Sequence, residues 1–153
     1  MTATISILPG VQDALVAQIG AAIPGSAYPD TQVTLSHPGQ DLPAHVVYLG
    51  QATASEDIPV ARGPNRVSRQ EEWDQEIIVS VGREGADVGN ARSDAFGIYG
   101  VIENVLATNA TLGVDGVFKV TPHAMHYKLG FEEGRKGWGV LLTITVRATG
   151  RLY

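Results

Sequence analysis

EEWDQEIIVSVGREGADVGNARSDAFGIYGVIENVLATN, residues 71–109, carries two hydrophobic periods one after the other. Over 71–81 the apolar side chains alternate. Trp73, Ile77, Val79 and Val81 fall on one side, Glu72, Asp74, Glu76 and Ser80 on the other, with Ile78 out of phase. A period of two marks a strand with one face covered and one face wet. Past a glycine-bearing turn the period changes. Val88, Ala91, Ala95, Ile98, Tyr99, Ile102, Val105 and Leu106 recur every three or four residues and form one stripe of a helix. Asp87 stands where an N-cap belongs. Gly97 and Gly100 each weaken a helix by up to ~1 kcal/mol relative to alanine, which points to close packing at those positions.

Outward from this stretch the same logic yields the other elements. Leu8, Val11, Leu15, Ile19 and Ala22/Ile23 make one face of a first helix, with Pro9 near its start and Pro24-Gly25 after its end. TQVTLS (31–36) and AHVVYLGQAT (44–53) read as strands separated by the turn residues of HPGQDLP. SEDIPVARGPNRVSRQ (55–70) holds two prolines, a glycine and three arginines, and reads as a long loop of the kind that is functional or mobile. VDGVFKV (114–120) begins another strand, and WGVLLTITVRA (138–148) is the last. Its Trp138, Val140, Leu142, Ile144, Val146 and Ala148 oppose Thr143, Thr145 and Arg147. The order α-β-β-β-α-β-β predicts a two-layer α+β domain, a mostly antiparallel sheet with both helices on its apolar face. One domain is expected over 1–153, with the loop at 55–70.

Composition narrows the function classes. The chain is 44% hydrophobic and 18% charged, which argues against disorder. It has no cysteine, hence no disulfide, thiolate metal site or thiol nucleophile. No secretory leader or membrane span is expected. The net charge of −5 is unevenly spread: residues 1–50 contain Asp13, Asp30 and Asp41 but no lysine or arginine, whereas residues 88–153 carry seven bases against five acids. No basic stripe exists to grip a duplex, although DNA could still pass by.

Residues 121–139, TPHAMHYKLGFEEGRKGWG, look the most reactive. His123 and His126 lie three apart in an extended segment behind Pro122, which predicts opposite faces and no shared metal. His37 and His45 lie near other loops. Glu132, Glu133, Arg135 and Lys136, among glycines, read as the solvated tip of a hairpin. No serine sits in a nucleophile elbow, and GREGADVG lacks both the dinucleotide and the P-loop spacings. No catalytic, cofactor or metal set is expected.

In element order and wording, EEWDQEIIVSVGREGADVGNARSDAFGIYGVIENVLATNATLGVDG (71–116) and GRKGWGVLLTITVRATGRLY (134–153), with AHVVYLG and VARGPNRVSRQ, resemble the tail terminator (tail-completion) proteins of long-tailed bacteriophages. That family is similar in fold to protein U of phage lambda. The resemblance covers about residues 10–153 and implies a non-enzymatic virion protein without cofactors. Its implied form is a ring of identical subunits, a hexamer, on the tail tube. Such a ring ends tube polymerisation and offers a surface to the head-tail connector or stopper protein. DNA only passes through the lumen, and no membrane is involved. The implied location is the tail or neck of the virion, and the host cytoplasm during assembly. Arg62, Arg66 and Arg69, with Glu132, Glu133, Arg135 and Lys136, are the candidate contacts to subunits or partners. A head-side neck protein (stopper or head completion) is the alternative within the same class. A small-ligand-binding or enzymatic α+β domain is the alternative outside it.

Overall fold

The computed structural model describes residues 6–39, 41–54, 58–61, 67–82, 88–131 and 138–152. Helix α1 spans Leu8–Ala22 and passes into a 3-10 turn, Ile23–Gly25. Strands β1 (Gln32–Thr34), β2 (His45–Ala54), β3 (Ile58–Ala61) and β4 (Val67–Gly82) follow, then helix α2 (Val88–Thr108) and strands β5 (Val117–Phe131) and β6 (Trp138–Leu152). The architecture is α+β with the expected element order and one added strand. The sheet runs β1-β2-β4-β6-β5, with β3 paired to β4. Every pairing is antiparallel except β1 with β2.

The periodicity of 71–81 holds except at Ser80, which was expected on the wet face and is instead fully buried opposite Val46. Ile77, Val79 and Val81 are fully buried opposite Ile144, Leu142 and Val140 of β6, and both rows face the helices. Val11, Leu15 and Ile19 of α1 and Ala91, Ala95, Ile98, Ile102 and Leu106 of α2 close over them. Residues opposite one another in antiparallel strands share a face. The reverse face of β4 and β6 therefore carries Glu72, Asp74, Glu76, Thr143, Thr145 and Arg147, none of them buried. Packing explains one helical glycine: a Cβ on Gly97 would run into the Tyr28 ring, whereas Gly100 faces open space. Asp87 and its N-cap role lie outside the described residues.

The loop expected over 55–70 is in part a ladder. Ile58–Ala61 pairs with Val67–Gln70, on the same edge of β4 that β2 occupies further along. Pro59 is tolerated because β3 is an edge strand, where a missing N–H disturbs no interior ladder. The result is a long hairpin, β2 and β3 against β4, laid beside a second one, β5 against β6.

Two buried polar side chains hold this frame. The Glu71 carboxylate, 2% exposed, accepts from Ser6 Oγ (3.0 Å), the Ile7 N–H (2.9 Å) and Trp73 Nε1 (3.1 Å). The first turn of α1 has no side-chain cap of its own. Glu71 meets its free N–H end from the sheet, where a negative charge also suits the helix dipole. Gln75 accepts from Gln12 Nε2 (2.8 Å) and donates to the carbonyls of Gly50 (3.1 Å) and Glu76 (2.8 Å). Gly50 lies in a bulge where β2 shifts register between Leu49 and Ala52. The Gln51 N–H donates to Glu76 Oε1 at 3.1 Å, so two groups left over by the bulge find side-chain partners. A Cβ on Gly50 would press on Ile78 Cδ1 at 2.8 Å.

Candidate functional site

The two hairpins turn at opposite ends of the sheet. The chain leaves β3 at Ala61 and enters β4 at Val67, at the end where β6 finishes with Leu152. It leaves β5 at Phe131 and enters β6 at Trp138, beside the Gly82–Gly139 pair at the other end. At ~3.3 Å per residue, the length of β4 separates these ends by roughly 50 Å. Arg69 lies near the start of β4, paired between Pro59 of β3 and Leu152 of β6. Arg62, Arg66, Glu132, Glu133, Arg135 and Lys136 lie outside the described residues.

On the sheet face away from the helices, Val46, Tyr48 and Ser80 are buried, while the part around Asp74 and Arg147 is polar and wired. Arg147 grips Asp74 with both branches of its guanidinium, Nε to Oδ1 at 3.0 Å and Nη2 to Oδ2 at 3.3 Å. Glu72 Oε1 lies 3.5 Å from the same Nε. Nη2 also donates to His123 Nε2 at 3.0 Å, and since arginine can only donate, that nitrogen is the acceptor. The hydrogen bond from Arg147 holds the Asp74 carboxyl below its usual range, and the same bond raises the guanidinium. With each side chain 35% exposed, solvent screening weakens the pair.

The geometry corrects the reading of the histidines. The register of β5 slips between Pro122 and Ala124, so His123 sits in a bulge and the alternation resets. His126 lies opposite Thr143, hence on the polar face that His123 also reaches through Arg147. The two share a face because the bulge absorbs one residue. Among the described residues, no three of His, Cys, Asp and Glu gather as metal ligands would. His45 serves packing: its Nε2 meets Asp94 Oδ2 of α2 at 2.9 Å, and its ring stands edge-on to Tyr28 at 5.9 Å.

One surface stands out that the sequence reading passed over. Met125, Tyr127 and Leu129 lie opposite Ile144, Leu142 and Val140, so they belong to the helix-covered face. Yet they are 43%, 40% and 41% exposed, because α2 does not reach across the outermost strand. Phe96 of α2, 43% exposed, stacks on Tyr127 with ring centroids 6.2 Å apart. The alternation of apolar Met125, Tyr127 and Leu129 with His126 and Lys128 was the available signal, masked by the polar residues around it.

No family model and no curated protein matches the chain. Among solved structures it is similar to a chain of one described as "Virion of native gene transfer agent (GTA) particle". The superposition has a TM-score of 0.64 at 15% sequence identity and covers 97% of this chain and 99% of that one. At that identity the likeness is one of fold, and it extends from end to end.

Proposed function

We propose that this protein is a structural component of a phage-like virion that caps the tail tube as a closed homomeric ring, a hexamer. It ends tube polymerisation and presents the surface to which the head-tail connector docks. The observation that supports this most is the end-to-end fold likeness to a chain of a gene transfer agent virion. The sequence resemblance to tail terminators over about residues 10–153 supplies the position within the particle. The protein works in this reading by shape and contact alone, without catalysis or cofactor. It resides in the tail or neck of the virion and reaches it from the host cytoplasm. The tube lumen, with DNA passing through it, runs through the ring.

The opposite placement of the two hairpin ends suits a subunit with partners on two sides, tube below and connector above. Arg62, Arg66 and Arg69, with Glu132, Glu133, Arg135 and Lys136, are the contacts to subunits or partners in this reading. Arginine forks match carboxylates on a neighbouring subunit or tube protein. Replacing the three arginines by alanine is expected to leave the melting temperature nearly unchanged, because most ion pairs at a protein surface contribute little to stability. Attachment to purified tails weakens in the same variant, and the wild-type attachment weakens as salt is raised. Unchanged attachment by the triple variant removes these arginines from the interface. Binding to portal-bearing heads in preference to tail ends places the protein on the head side of the neck instead.

A further inference from the structure

The outer edge of β5 is not uniformly protected. Over 117–123 it bears the features that discourage edge pairing: register slips at Phe118 and His123, and a proline, Pro122, with no N–H to offer. From Ala124 to Phe131 the register is unbroken and no proline occurs. This regular half is also the half with the uncovered Met125–Tyr127–Leu129 row and Phe96 beside it. Single exposed apolar residues are ordinary, but a contiguous row along an open strand edge marks an interface.

The other edge of the sheet supplies the complement. It ends at β1, which carries no further strand among the described residues. Leu35, directly after β1, is 53% exposed. Residues 27–43 around it contain Asp30 and Asp41, both exposed, and no lysine or arginine. β5 is the reverse: Lys119 and Lys128 with no acid between 117 and 131. Pairing β5 with β5 about a two-fold axis would bring the basic strands together, whereas basic edge on acidic edge is attractive.

We propose that copies of this chain associate head to tail, the 124–131 stretch of β5 in one copy meeting the β1–Leu35 edge of the next. A head-to-tail contact of this kind closes into a ring when its rotation divides the circle. The inference thus rests on the ring reading and names the surfaces that build it.

Complementary defects test it. Tyr127→Asp spoils only the β5 edge and Leu35→Asp only the β1 edge, and the two altered edges repel one another because both gain negative charge. Each variant alone is expected to be monomeric in native mass spectrometry while keeping the wild-type circular dichroism and melting profile. Mixed in equal amounts, they form a 1:1 heterodimer and stop there, since one good interface remains per pair. Lys128→Glu replaces Tyr127→Asp if the latter does not fold. A mixture that stays monomeric, or single variants that assemble like wild type, overturns the proposal while leaving the ring reading intact. A wild-type chain that is monomeric both free and at tail ends overturns both.

Discussion

Replacing Ile102 by aspartate is expected to leave the chain insoluble or unfolded. Ile102 is fully buried on the face of α2 that meets the sheet, in one cluster with Ile98, Leu142 and Ile144. Aspartate there loses a large apolar side chain, about 2–5 kcal/mol by comparison with truncation to alanine. It also places a carboxyl among aliphatic groups with no partner, a further cost of several kcal/mol even if the group takes up a proton. Against a typical total stability of ~5–15 kcal/mol, that leaves little folded protein. Thermal melts and the soluble fraction on expression measure it. A soluble Ile102→Asp chain with a normal melt contradicts the packing of α2 on the sheet.

Glu71→Ala is expected to cost roughly 2–4 kcal/mol, a large effect for a polar substitution. The loss leaves the Ile7 N–H, Ser6 Oγ and Trp73 Nε1 without their acceptor; the bond from Ile7 is buried and the other two part-buried, and a buried donor stranded in this way costs about 1–3 kcal/mol. For a chain of this size that is a fall of roughly 5–15 °C in melting temperature. The first turn of α1 should open with it, visible as faster amide exchange near Ile7–Leu8. Glu71→Gln keeps the shape and one acceptor and should lose about half as much. A melt unchanged in Glu71→Ala would mean that the segment before α1 contributes nothing to the fold's stability.

These two positions show what a single sequence discloses. Ile102 belongs to a stripe that repeats over five turns, and a repeat can be read locally. Glu71 and Gln75 share the apolar column of β4 with Ile77 and Val79, yet local reading makes them solvated. Their burial depends on Ser6, Ile7, Gln12 and Gly50, which are distant in the chain. The ladder of β3 was hidden for a related reason: Pro59 and the arginines weigh against a strand unless its edge position is known. His123 and His126 follow the alternation rule, and one bulged residue reverses its outcome. The exposed row on β5 obeys the alternation too. Nothing in its local pattern says that α2 stops short of it.

The claim on which the account depends is that the chain closes into a ring. Native mass spectrometry with negative-stain microscopy of the wild-type protein, free and bound to purified tail tubes, measures this most directly. The account expects a single closed species of six subunits with a central lumen, the same ring sitting on one end of each tube. A strictly monomeric mass at high micromolar concentration, together with bare tube ends, would contradict it.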